Sequence, residues 1–154
     1  VLRSRRVNGL EQLYQQLILD HSKHPHVFGL DAAAEGSPRS HQRNPICGDE
    51  ITLTATVENG EVSHIVWEGA GCSISQASAS MLSALVDEED GMPRAEASAL
   101  IASFREALRS RGQIALDEEE FGDAAALSGV SKYTARVKCA MLAWVALEDV
   151  LARS

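Results

Sequence analysis

Glu50-Ile51-Thr52-Leu53-Thr54-Ala55-Thr56-Val57, followed by Glu58 and the pair Asn59-Gly60, decides the fold. Ile51, Leu53, Ala55 and Val57 alternate with three threonines, the period-two pattern of a strand that buries one face. Asn-Gly is the strongest short hairpin signal, because a type I′ turn requires positive φ at both central positions. Val62 to Trp67 then reads as the return strand.

On the N-terminal side, Asn8-Gly9-Leu10-Glu11 has the form of a capping box, and Leu10, Leu13, Tyr14, Leu17 and Ile18 recur at helical spacing. A first helix is expected from there to about His24, where Pro25 ends it. Val27 to Asn44, with Gly29, Gly36, Pro38 and many polar residues, reads as irregular surface.

On the C-terminal side, Gly69 and Gly71 precede Cys72, after which Ile74, Ala77, Ser78, Met81, Leu82 and Leu85 resume a helical period. Cys72 is therefore expected at a helix start. Pro93 opens a further helix with Leu100, Ile101, Phe104 and Leu108 as its apolar stripe, closed by Arg111-Gly112. Leu116 to Ala126 concentrates Asp117, Glu118, Glu119, Glu120 and Asp123 and reads as a solvated loop or helix edge. Ser131 or Thr134 can cap a last helix whose buried face holds Val137, Ala140, Met141, Trp144, Val145 and Leu151, with Cys139 near its beginning. Helices flank a small group of strands without βαβ alternation, so the class is α+β, with an antiparallel sheet of about three strands packed against several helices.

The 154 residues suit one domain. Residues 1–9 read as an N-terminal extension and 10–154 as the domain. Apolar residues at 45% and charged residues at 23% are the balance of a soluble globular protein. A formal charge of -8 argues against a nucleic-acid partner, since phosphate binding depends on Lys and Arg. Three arginines in Leu2–Arg6 are followed by no apolar stretch, and no run is long enough to span a bilayer. A cytoplasmic location is the expectation.

Three cysteines cannot all pair within one chain, and in a reducing compartment they point to metal binding or sulfur chemistry. The competing reading is burial as small hydrophobes, which suffices for any single cysteine. Cys72 and Cys139 are placed near helix N-termini, where the macrodipole and free N–H groups favour a thiolate. Cys47 stands two residues before Asp49, just ahead of the first strand. Three thiolates and one carboxylate complete the four ligands of tetrahedral Zn²⁺, and Arg136 and Lys138 can offset the excess negative charge. There is no Cys-x-x-Cys pair, so spacing alone does not establish the site.

His21, His24 and His26 are better read as structural, placed where imidazolium suits a helix C-terminus, and His41 and His64 have no partner in sequence that suggests a site. Trp67 and Trp144 fit core positions. The serines around Cys72 lack a Gly-x-Ser-x-Gly elbow and read as small packing residues.

Three ordered motifs, Cys47-Gly48-Asp49, Gly69-Ala70-Gly71-Cys72-Ser73-Ile74-Ser75 and Arg136-Val137-Lys138-Cys139-Ala140-Met141-Leu142, together resemble the IscU/NifU N-terminal scaffold superfamily. Tyr14, Asp20-His21 and His24-Pro25 fit its N-terminal motif. Lys138, where IscU proteins usually carry a histidine, and the long interval from roughly Glu89 to Val130 resemble the SufU-type branch.

The resemblance implies a SufE/NifU-like fold and a zinc-dependent sulfurtransferase that accepts persulfide sulfur from a SufS-type cysteine desulfurase and delivers it to iron–sulfur cluster assembly, with cluster scaffold proteins as further partners. It implies Cys47, Asp49, Cys72 and Cys139 as metal ligands, with Cys47 as the sulfur acceptor once a desulfurase histidine replaces it on zinc. Arg136 matches the family's arginine three residues before the last ligand. The alternative implied by the same superfamily is an iron-binding scaffold that assembles and transfers a [2Fe–2S] cluster.

Overall fold

The computed structural model describes residues 2–26, 29, 38–45 and 48–154, with side chains from residue 12 onward. Its elements are α1 (Leu2–Lys23), β1 (Arg39–Asn44), β2 (Asp49–Glu58), β3 (Glu61–Ala70), α2 (Ser73–Glu88), β4 (Met92–Pro93), α3 (Arg94–Arg109), α4 (Glu118–Phe121), a 3₁₀ segment (Gly122–Lys132) and α5 (Thr134–Ala152). The class is α+β, as the sequence predicts.

The alternating stretch forms β2, and Ile51, Leu53 and Ala55 are almost completely buried. Asn59 and Gly60 take φ of 52° and 77°, the I′ geometry that joins β2 to its antiparallel partner β3. The pairing carries one irregularity. Thr54 opposes Val66 while Thr56 opposes Ser63, so Ala55 faces both His64 and Ile65. This is a β-bulge, and His64 takes the positive φ (49°) that a glycine more often supplies. The extra residue re-aims the strand, so that Val62, Ile65 and Trp67 all point into the core although their spacing breaks strict alternation.

The sheet has four antiparallel strands in the order β1-β2-β3-β4. β1 corrects part of the expected irregular segment. Its sequence Arg-Ser-His-Gln-Arg-Asn contains no apolar residue, yet it pairs with β2 from Arg39↔Thr54 to Asn44↔Asp49. The rest of Val27 to Pro38, apart from Gly29 and Pro38, lies outside the described residues. Thr54 is buried as well, its hydroxyl donating to the Pro38 carbonyl at 2.6 Å.

α1 begins at Leu2, so the capping-box pattern at Asn8 lies inside the helix and does not start it. Its C-terminal end is fixed by histidines. His21 meets Ser80 through Nδ1 (2.7 Å) and Asp123 through Nε2 (2.9 Å), tying α1 to α2 and to the 3₁₀ segment. The His26 carbonyl accepts from Trp67 Nε1 (2.9 Å) and Ser83 Oγ (3.1 Å), and its ring pairs with Asp87. The structural reading of these two histidines holds.

The small residues of α2 let α5 approach closely. Ser78 donates to the Ala140 carbonyl (2.6 Å) and accepts from Trp144 Nε1 (2.9 Å), both fully buried. Trp144 stacks on Phe104 of α3 with ring centroids 3.9 Å apart, a contact worth roughly 0.5–1.5 kcal/mol beyond the area it buries. Pro93 precedes α3 as its N-cap and does not occupy the first turn, because it ends the two-residue strand β4. The acidic segment is exposed as expected, with Asp117 capping α4, while Phe121 and Ala124 to Leu127 turn inward to the core. α5 is capped at Tyr133 by backbone alone. Ser131, expected as a cap, instead donates to the Ser128 carbonyl (2.8 Å) within the 3₁₀ segment.

Candidate metal centre

The antiparallel register sets the site. β2 begins at Asp49, and Glu50 pairs with Ala70 near the end of β3, so the chain leaving β3 passes beside Asp49 before α2 begins. The passage is close because two glycines allow it. A Cβ on Gly69 would fall 2.7 Å from Ile51 Cδ1, and one on Gly71, where φ is 141°, would collide with the Asp49 carboxyl group, 2.7 Å from its Cγ. With that approach made, Cys72 stands at the N-cap of α2, as expected, and turns both its amide and its thiol toward Asp49. The amide donates to Asp49 Oδ1 at 2.8 Å and Sγ lies 3.2 Å from Oδ2. Ser75 Oγ, one turn along, donates to the Cys72 carbonyl at 3.0 Å and holds this first turn.

Cys139 arrives from the other side on the buried face of α5 and is completely inaccessible. It sits in the second turn, with its Sγ near the Ala135 carbonyl (3.9 Å), past the free N–H groups that the sequence reading assigned to it. The helix-terminus argument therefore applies to Cys72 and not to Cys139. One ligand atom each from Asp49, Cys72 and Cys139 lies within 4.8 Å of the others.

Asp49 is 2% exposed. Burial pushes its carboxyl group toward a higher pKa, but hydrogen bonds from Cys139, from the Cys72 amide and from the Cys72 thiol, together with the positive charge of Arg136, bring it below the ordinary aspartate value. A buried carboxylate held ionised beside two thiols is a donor set that a divalent cation fits, since paired charge is what makes such burial tolerable.

Asn44 completes the surroundings and was missed in the sequence. It pairs with Asp49 across β1 and β2, is buried, and its side-chain amide reaches Cys139 Sγ at 3.9 Å. Its only sequence signal was proximity to Cys47. Cys47 itself lies outside the described residues. In the sequence it stands two residues before Asp49.

Arg136 and Lys138 separate. Exposed Arg136 lines a depression of about 450 Å³ together with Cys72, Tyr14, Lys132 and Tyr133, so it faces the half-buried side of the site. Lys138 lines a different groove between β1, α3 and α5. Tyr14 closes one wall, its hydroxyl donating to Glu118 at 2.9 Å, and burial and that carboxylate raise its pKa. His24, His41 and His64 do not enter the three-ligand cluster.

Comparison with known proteins places the site in a family context. The model of the NifU-like N terminal domain matches residues 13–140. A protein named iron-sulfur cluster assembly scaffold protein IscU, from Streptococcus pyogenes serotype M1, is 39% identical over 148 residues, covering 96% of this chain and 88% of its own. A protein named zinc-dependent sulfurtransferase SufU, from Bacillus subtilis (strain 168), is 38% identical over 145 residues, covering 94% and 93%. Among solved structures, an iron-sulfur cluster assembly scaffold protein for the SUF system from Fervidobacterium islandicum AW-1 superposes with a TM-score of 0.70 at 29% identity, over 88% of this chain and 93% of that one. No helix among the described residues is long and apolar enough to cross a membrane. On a match that spans most of its length, with the resembling motifs at Asp49, Cys72 and Cys139 converging in space, the chain belongs to the NifU-like N-terminal domain family.

Proposed function

We propose that this protein is a zinc-dependent sulfurtransferase of iron–sulfur cluster assembly, which accepts persulfide sulfur from a SufS-type cysteine desulfurase in the cytosol and passes it to the cluster scaffold proteins of that pathway. The observation that carries the reading is the convergence of Asp49, Cys72 and Cys139. Cys47, two residues before Asp49 in the sequence, is the fourth ligand and the sulfur acceptor in this reading.

Zinc bound by these residues would hold the thiols deprotonated at neutral pH. The other steps belong to the chain. Asp49, fixed by the Cys72 amide, is held in place from below, and buried Cys139 and half-buried Cys72 bound the inner side. The Cys47 thiolate attacks the terminal sulfur of the persulfide on the desulfurase cysteine. One S–S bond forms as the other breaks, and the desulfurase cysteine leaves as a thiolate. Arg136, beside Cys72, supplies positive charge to the anionic sulfur that results.

A second reading, a scaffold for a [2Fe–2S] cluster on the same residues, is favoured by the scaffold name of the Streptococcus relative, because cysteine thiolates suit both metals. Metal content of protein purified without added metal, together with desulfurase turnover, separates the two. The transfer reading expects about one zinc per chain, a colourless protein and stimulated desulfurase activity that Cys47→Ser abolishes. Iron with visible absorption would favour the scaffold, and full stimulation by Cys47→Ser would remove Cys47 from its assigned role.

A further inference from the structure

Although the chain carries a formal charge of -8, a groove of about 610 Å³ between β1, α3 and α5 is lined by cations and by no carboxylate among the described residues. Arg105 is held by Glu148, but Arg43, Arg109, Arg111 and Lys138 are exposed and take no part in any ion pair or side-chain hydrogen bond among the described residues. A protein with an excess of carboxylates has left four positive charges unpaired around one depression. Such an arrangement favours an anionic occupant.

The floor of the groove indicates which kind. Val137, Met141 and Val145 follow one another at intervals of four along α5, a stripe about 12 Å long, and Leu108 of α3 lies beside them. A small phosphate would use the rim and gain nothing from that stripe. A peptide segment that carries both carboxylates and apolar side chains would use both. The groove also borders the metal centre, since Asn44 and Pro45 form one wall and Lys138 precedes Cys139. An occupant would lie a few residues from the sulfur chemistry.

We infer that this groove seats an acidic, apolar-bearing segment of the cysteine desulfurase and so sets the approach of that enzyme to the metal centre. The inference rests on the desulfurase reading above and adds where the enzyme docks. The test measures affinity of a purified SufS-type desulfurase, at low and high salt, for the wild-type protein, Arg109→Glu, Arg111→Glu and a charge-matched control, Lys23→Glu, which lies outside the groove. Each groove variant is expected to weaken binding by about fivefold or more at low salt, with the difference shrinking as salt rises, while Lys23→Glu changes affinity less than about twofold. Unchanged circular dichroism would show that the variants fold.

If the groove variants and Lys23→Glu behaved alike while the wild type bound, the groove would not be the docking site. The functional reading would survive. If the desulfurase did not bind the wild type at all, both would fall. If inorganic phosphate bound and Arg109→Glu abolished that binding without affecting the desulfurase, the groove would be a small-anion pocket and the inference would be wrong.

Discussion

Gly71 shows how one missing side chain can set a centre. Its φ of 141° and its contact with Asp49 leave no room for a Cβ, so an alanine there must displace either the carboxyl group or the strand end that delivers Cys72. The Gly71→Ala protein is expected to fold but to bind zinc about 10- to 100-fold more weakly, the loss typical when a group that positions a ligand is altered. Competition with a chromogenic chelator measures it, and an unchanged affinity would mean that Asp49 need not sit where it does. Gly71 was visible in the sequence as an interruption before Cys72 and as part of the motif around it. Its reason depends on a strand that is 22 positions earlier in the chain, at Asp49, and no local pattern reports that pairing.

Among the elements, α3 and α5 are joined at their exposed side by Arg105 and Glu148, whose two parallel hydrogen bonds measure 3.0 and 2.8 Å. Arg105 bonding holds the Glu148 carboxyl group below the ordinary glutamate value against the opposing effect of burial. A carboxyl group whose pKa is depressed by folding contributes stability that is complete above its unfolded pKa and is lost as pH falls through the folded one. Glu148 is half exposed, so solvent screening limits the contribution to about 1 kcal/mol or less at pH 7. Glu148→Gln should therefore lower urea stability slightly at pH 7, and the gap from wild type should narrow as pH is taken below the unperturbed value of 4.5. A gap that stayed constant would mean that Glu148 acts by packing. The same scale shows what could be read in advance. β2, its Asn59-Gly60 turn, the Cys72 helix start and the buried face of α5 follow from local periodicity and turn chemistry. β1 does not, because an edge strand made wholly of polar residues has no apolar alternation to display, and its pairing comes from its neighbour. The His64 bulge was hidden for a similar reason, since a bulge is a property of two strands compared.

At the scale of the molecule, the core and the candidate centre are separate systems. Trp67, Trp144, Phe104, Ile51, Leu82 and Leu147 bury a continuous apolar interior drawn from the sheet and from α2, α3 and α5, and none of them needs a metal to be buried. Domains whose cores are small relative to their metal site, such as zinc fingers, unfold when stripped, whereas a chain of 154 residues with such an interior has its own driving force for folding. The metal ligands, Asp49, Cys72 and Cys139 with Cys47, would then respond to metal without the core doing so, and they would do so by mass action, since a ligand that binds the native state alone stabilises it by RT ln(1 + [L]/Kd). At free zinc about 100-fold above Kd that is about 2.7 kcal/mol. For a chain of this size it corresponds to a Tm rise on the order of 5–10 °C. The chelated protein is accordingly expected to keep a single cooperative thermal transition, displaced downward by that amount, and Cys72→Ser and Cys139→Ser should each show little further shift between zinc and chelator. Differential scanning calorimetry checks both. A chelated protein without a transition would make the metal structural, whereas a Cys72→Ser variant that still gained the full zinc shift would place the metal elsewhere in the molecule.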